Sequence, residues 1–386
     1  MNRRVRSGLV AAAVTLSLVS CATPVTETPS AVPFPEPSTS PSSPPSSPPT
    51  PALELESVAP VGTPKALITG LDAPWSIVRL STGSALISER DVGAVLEYTA
   101  AGKIRTVGTV QGVAHGGEGG LLGLAVLVAG TTTYLYSYYT SATDNRIVRM
   151  PLVGSAGSYS LGKQEKILTG LAKASNHNGG RIAFGPDGKL YATVGDASVP
   201  NRAQDKTSLN GKILRMNLDG SVPADNPFPG SLIYTLGHRN PQGLAWDSTG
   251  QLWASEFGQN TWDEFNRIVA GKNYGWPIVE GKGSKAGFVD PVLQWPTADA
   301  SPSGLAFVHN TFFMVSLRGQ RLWAIYPEPT AHATAWFTGQ YGRLRDAIPG
   351  PDGTLWILTN NTDGRGSPRT GDDKLLQVQL EPLKEG

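Results

Sequence analysis

Four stretches of the chain repeat one short pattern, a glycine-centred turn running into an apolar strand. They are Ser81-Thr82-Gly83 before Ala85-Leu86-Ile87-Ser88, and Pro186-Asp187-Gly188 before Leu190-Tyr191-Ala192-Thr193. The other two are Ser248-Thr249-Gly250 before Leu252-Trp253-Ala254-Ser255, and Pro351-Asp352-Gly353 before Leu355-Trp356-Ile357-Leu358. Turn residues ahead of aromatic and β-branched runs signal strands entered from tight turns. The turn glycines lie 105, 62 and 103 positions apart, which fits a degenerate unit of ~50 residues with some copies unrecognisable. Strand-and-turn units of that length point to a β-propeller with four strands per blade. Composition agrees: 45 Gly and 31 Pro make up about a fifth of the 386 residues, charged residues only 16%, and no segment offers a long amphipathic helix.

The chain begins with a segment that is excluded from the fold. Arg3, Arg4 and Arg6 precede an apolar run from Gly8 to Val19, shorter than the ~20 residues a membrane span needs. The run ends in Leu18-Val19-Ser20-Cys21, similar to a bacterial lipobox, and Cys21 is the only cysteine in the chain. Residues 1–20 are expected to be a lipoprotein signal peptide. Cys21 would then carry the lipid that holds the protein on the extracytoplasmic face of the cell membrane. Thirteen of the 31 prolines fall between Pro24 and Pro64, mixed with Ser and Thr. Residues 21–64 are therefore expected to form a disordered tether, and residues 65–384 the propeller. One cysteine excludes an internal disulfide framework, and a net charge of +1 excludes a broad basic field for nucleic acid.

Several motifs follow one another in a distinctive order. Gly117-Glu118-Gly119-Gly120-Leu121 is followed by Asn176-His177-Asn178-Gly179-Gly180-Arg181, then Gly237-His238-Arg239-Asn240-Pro241-Gln242-Gly243. Asp263-Glu264-Phe265-Asn266, Asn273-Tyr274-Gly275-Trp276-Pro277, Trp295-Pro296-Thr297 and Gly342-Arg343-Leu344-Arg345-Asp346 complete the series. In this order they resemble the soluble glucose dehydrogenases that use pyrroloquinoline quinone, especially the aldose sugar dehydrogenase branch. The resemblance covers about residues 65–380 and implies six blades, which is also what ~320 residues at ~50 per unit allow.

The resemblance implies a set of roles. His177 takes the position of the catalytic base, chemically apt because imidazole titrates near neutrality. Arg239, Asn240, Thr297, Arg318, Arg343 and Arg345 match cofactor-binding positions, and guanidinium groups suit a cofactor with three carboxylates. Gly258 and Gln259 match a loop that offers backbone carbonyls to calcium, with Asp263, Glu264 and Tyr274 close by, all hard oxygen donors. Glu118 and Trp295 match positions facing the sugar. Three residues depart from the family pattern: Asn176 stands where an aspartate precedes the histidine, Arg318 replaces a lysine, and Gln259 a proline. The expected activity is oxidation of an aldose at C1, with an electron acceptor that the motifs do not name. The competing reading is a non-catalytic propeller lipoprotein that binds an envelope partner or glycan. It requires Arg239, Arg343 and Arg345 to point away from His177.

Overall fold

The structure, a computed structural model, describes residues 56–383. The expected signal peptide, Cys21 and the tether as far as residue 55 lie outside the described residues. Apart from two single-turn 3-10 helices, the described chain is strand and loop. Six antiparallel sheets follow one another along the chain, at residues 74–109, 121–171, 182–236, 241–296, 302–336 and 344–382. Each has four strands on one path, and the second adds a short fifth, Ser160–Leu161. This is the β-propeller that the repeats implied, with the six blades that the resemblance and the length implied.

The sixth blade takes its outermost strand from the start of the described residues. Val58–Ile68 pairs antiparallel with Leu375–Pro382, from Val58 opposite Pro382 to Ile68 opposite Leu375. Residues 58–64 therefore belong to the propeller, and the expected boundary at Lys65 lies too far along. The cause is local: Pro60 and Pro64 are tolerated in an edge strand, so proline content here marks an edge rather than a tether. Val58 is buried, and its N–H donates to Thr311 Oγ1 at 2.9 Å.

All four repeats recognised in the sequence are second strands of blades: Ala85–Glu89, Leu190–Val194, Leu252–Glu256 and Leu355–Thr359. Their turn glycines sit at φ between 71° and 86°, the left-handed region that a Cβ disfavours. The two missing copies are Thr132–Thr140 and Thr311–Ser316. The second of these is entered through His309-Asn310, both at positive φ, so the turn has the same shape without a glycine to announce it.

The innermost strands surround a channel. Residues from Pro74–Arg79, Leu121–Ala129, Ile182–Phe184, Pro241–Trp246, Pro302–Val308 and Leu344–Pro349 line one mostly apolar cavity of about 440 Å³. A buried polar layer closes it at one end. Arg181 Nη1 donates to Asp346 Oδ2 at 2.8 Å, and Arg181 Nε to the Gln242 carbonyl at 2.9 Å.

Candidate functional site

On the far side of that layer, two hollows of about 210 and 220 Å³ share Glu118, Phe257, Ser301, Arg318 and Arg365 as walls. Their lining comes from two kinds of loop: those entering an innermost strand (Glu118, His177, Asn240, Ser301, Arg343) and those leaving a second strand (Arg90, Phe257, Arg318, Asp363). First and second strands of a blade are antiparallel, so both kinds of loop lie at the same end of the ring. A site assembled this way draws on all six blades, from Arg90 alone in the first and Glu118 alone in the second to a larger share from the fourth, fifth and sixth.

His177 lines the recess with its backbone at φ 58°, a conformation that costs a non-glycine residue ~1–3 kcal/mol. Two contacts hold it there. Its N–H donates to Glu118 Oε2 at 2.9 Å, and its carbonyl accepts from the Ala197 N–H at 3.1 Å. Gly195 lies beneath it, where an added Cβ would meet the His177 carbonyl oxygen at 2.1 Å. The imidazole Nδ1 is 2.8 Å from Asp196 Oδ1. Asp196 is fully buried, and its other oxygen accepts from Trp276 Nε1 at 2.9 Å. With Nδ1–H assigned to this carboxylate, Nε2 keeps its lone pair for the recess. The neighbouring Asn176 plays no part in this, since its side-chain oxygen accepts from Ser198 Oγ. The carboxylate absent from position 176 is supplied by Asp196, which sequence reading missed.

Four of the expected guanidinium groups meet here. Arg239 lines the recess beside His177, lies with its guanidinium 5.5 Å from the Trp276 ring centroid, and has a buried Nε without a partner. Burial pushes this group down, with Asp196 and Glu256 opposing. Arg318 is exposed, borders both hollows and forms no ion pair among the described residues. Arg343 is paired with Asp363 Oδ2 at 2.8 Å. Arg345 donates to Asn360 Oδ1 at 3.0 Å and Gln242 Oε1 at 3.0 Å, and stands 3.6 Å from the same Asp363 oxygen. Burial would raise the Asp363 carboxyl, but Arg345 and Arg343 outweigh it and hold it below the usual range. Arg239 and Arg318 thus face the recess without an ion-pair partner among the described residues, whereas Arg343 and Arg345 share the one carboxylate of Asp363. Asn240 and Thr297 also line it, Asn240 with its side-chain oxygen accepting from Gly179 N–H at 3.0 Å.

The expected metal residues separate into two groups. Gly258, Gln259 and Asp263 line the recess. The two oxygens of buried Asp263 accept from the Gly258 N–H at 2.8 Å and the Ser301 N–H at 2.5 Å, and burial pushes its carboxyl up to about 6. Glu264, next along the strand Trp262–Arg267, faces the other way and lines a small cavity with Glu256, Tyr274 and Glu280. It accepts from Gly281 N–H at 2.7 Å and Asn266 Nδ2 at 3.0 Å. Burial, with Glu256 nearby, holds its carboxyl well above the usual range. The Tyr274 hydroxyl donates to the Arg267 carbonyl at 2.6 Å, and its ring stacks on His238 at 4.8 Å. Neither the Glu264 carboxylate nor the Tyr274 hydroxyl reaches the recess.

Of the two substrate assignments, Trp295 changes and Glu118 keeps its place at the site. Trp295 is buried against Trp323 at 5.4 Å between ring centroids, in the packing of the fourth and fifth blades, and borders neither hollow. Paired with Asp263 and so on the same face of the sheet, it stands one strand further out, in the packing against Trp323 and not in the recess. Glu118 borders both hollows, but its carboxylate already braces His177 and pairs with Arg365 at 2.7 Å. Arg365, Arg90, Phe257 and Asp363 are lining residues without a sequence signal, because each lies in a loop of no recognisable pattern.

The sequence matches the family described as Glucose / Sorbosone dehydrogenase over residues 71–371. Among solved structures, the chain is similar to the PQQ-bound aldose sugar dehydrogenase of Streptomyces coelicolor, with TM-score 0.80 and 47% identity, covering 85% of this chain and 99% of that one. The aldose sugar dehydrogenase YliI of Escherichia coli is 31% identical over 78% of this chain and 91% of its own length. Quinoprotein glucose dehydrogenase B of Acinetobacter calcoaceticus is 36% identical over 58% of this chain, a match that spans 54% of that relative's own length.

Proposed function

The chain belongs to the glucose and sorbosone dehydrogenase family, and from that premise we propose that it is an envelope-anchored quinoprotein oxidising aldoses at C1. The observation that carries this reading is the convergence of a histidine with a free Nε2 and four guanidiniums around two adjoining hollows, with only Asp363 paired to Arg343 and Arg345 and no ion pair on Arg239 or Arg318 among the described residues. The residues present fit pyrroloquinoline quinone. Arg239, Arg318, Arg343 and Arg345 set against the one carboxylate of Asp363 leave three positive charges for the three carboxylates of the quinone, and the buried orphan Nε of Arg239 is the kind of donor that an anionic ligand satisfies. When bound, the quinone supplies an electrophilic carbonyl carbon able to accept hydride from the sugar.

The chain's own residues perform the rest. His177 Nε2 takes the proton from the C1 hydroxyl as the hydride leaves, and Asp196 stabilises the imidazolium so formed. Glu118 keeps the His177 backbone in place, and Arg343 with Asp363 frames the floor beside Arg345. Calcium is part of the proposal: carbonyls of Gly258 and Gln259 are hard donors, and the described residues hold no cluster of three or more His, Cys, Asp or Glu that would take a metal by side chains alone. Lipid on Cys21 would place the domain on the outer face of the cell membrane. The competing reading, a non-catalytic binding propeller, is disfavoured because Arg239 lines the same hollow as His177, and Arg343 and Arg345 line the adjoining one that shares its walls.

Titration of the purified, quinone-free protein tests the reading. Binding at micromolar quinone, followed by reduction of a dye acceptor in the presence of aldoses, is the expected result. Absence of binding at that concentration would overturn it.

A further inference from the structure

One carboxylate behind the recess makes an unusual set of contacts. Oε1 of Glu280 accepts from four consecutive backbone amides: Gln259 at 2.7 Å, Asn260 at 3.1 Å, Thr261 at 3.1 Å and Trp262 at 3.2 Å. The preceding amide, Gly258, donates to Asp263 at 2.8 Å. Five successive N–H groups of one turn are thus committed to two carboxylates. In a trans peptide the carbonyl of residue i points opposite to the N–H of residue i+1. Amides 259–262 gathered on Glu280 therefore send the carbonyls of Gly258, Gln259, Asn260 and Thr261 away from it. Glu280 lines the small cavity behind the turn, Gln259 lines the recess in front, and Gly258 borders both.

The turn is also tight enough to have a single shape. A Cβ at Gly258 would meet the Trp262 carbonyl oxygen at 1.9 Å and Glu280 Oε1 at 2.7 Å, so only glycine lets the chain close over the carboxylate. Glu280 is in turn held by its neighbour, since Gly281 N–H donates to buried Glu264 at 2.7 Å. This gives Glu264 a purpose although it faces away from the recess: it anchors the segment that carries the brace.

We propose that Glu280 is a positioning residue that gathers the amides of residues 259–262 and so presents the Gly258 and Gln259 carbonyls to a divalent cation in the recess. The inference rests on the calcium reading of the proposed function and goes beyond it by naming what preorganises that site. An amide nest around a carboxylate orients carbonyls that would otherwise turn to solvent, as partners of metal ligands do elsewhere.

Calcium titration by calorimetry and hydrogen exchange at amides 259–262 test it on the purified chain loaded with quinone. E280A is expected to lose 10–100-fold in calcium affinity, the usual cost of removing such a partner, and to lose exchange protection at those amides. E280Q, whose side-chain oxygen still accepts, should keep the protection and most of the affinity. E280A binding calcium within twofold of the parent overturns the proposal. So does E280Q losing as much as E280A with its amides still protected, since charge and not position would then be the cause. A parent protein that binds the quinone but no calcium removes the metal reading itself. Exchange then still judges the brace, which fails if E280A leaves protection unchanged.

Discussion

At the scale of single residues, the site depends on a histidine in a backbone conformation that few side chains adopt. His177 at φ 58° is held by Glu118 on one side and Ala197 on the other, and its ring is aimed by a carboxylate on a separate loop. The strain persists because two loops, that of Glu118 and that of Asp196-Ala197, fix it together. For the proposed dehydrogenase, His177→Ala is expected to lower turnover by ~10²–10⁴-fold, the range of a positioned general base. Quinone affinity should be retained, because the cofactor contacts come from arginines elsewhere. Asp196→Asn should lower turnover by at least ~10²-fold with the same retention, since an amide neither fixes the Nδ1–H tautomer nor stabilises imidazolium by charge. Steady-state kinetics beside a quinone titration separate the two effects. A turnover equal to the parent's in either variant would remove that residue from the mechanism.

At the scale of elements, loops at one end of the ring are held by buried polar groups more than by apolar packing. Lys212 opens the strand Lys212–Met216 fully buried, and its ammonium donates to the carbonyls of Arg202 at 2.7 Å, Ala203 at 3.0 Å and Asn210 at 2.9 Å. It thereby ties down the single-turn helix Pro200–Ala203, which follows the loop of Asp196. Burial pushes Lys212 down to about 8 from an ordinary 10.5, with Asp205 opposing. Between those two values the unfolded chain holds a proton that the folded one has released. This group's contribution to stability therefore rises with pH through that window, at most by ~1.4 kcal/mol per pH unit. Chemical unfolding measured between pH 8 and 10 should show that slope in the parent and a flatter one in Lys212→Met. Equal slopes would mean that the ammonium keeps an ordinary titration.

At the largest scale, the described residues form a ring closed by non-covalent pairing between their first and last strands. Val58–Ile68 completes the last blade against Leu375–Pro382, and the Val58 carbonyl accepts from Thr311 Oγ1 at 3.1 Å and from the Tyr326 hydroxyl at 3.2 Å in the adjoining blade. A chain beginning at Glu56 keeps all of these contacts and should melt where the parent does. A chain beginning at Lys65 loses the Val58–Val61 pairing and leaves buried partners without theirs, so its midpoint should fall by ~5 °C or more. Calorimetry on the two truncations decides it. Equal midpoints would show that the closing strand adds nothing to stability.

How much of this was legible beforehand follows from where the information lies. A turn that demands positive φ writes a glycine into the sequence, so four of six second strands could be read directly. The blade entered through His309-Asn310 stayed hidden because its turn uses residues that tolerate the left-handed region without requiring it. Chemistry-bearing types in ordered motifs identified His177, the arginines and the Gly258 loop. What those side chains face is a property of the ring. Adjacent residues on a strand point to opposite faces, and this sent Glu264 behind the site while Asp263 stayed in it. Trp295 went into the packing between blades, where its area is better buried than at a mouth. Asp196, Glu280 and Arg365 reach His177, the Gly258 turn and Glu118 across 19, 21 and 247 positions of sequence, respectively. No local pattern encodes such a distance. Local backbone preference and residue chemistry are carried by the sequence itself, whereas the closing of six blades into one ring decides which carboxylate meets which amide, imidazole or guanidinium.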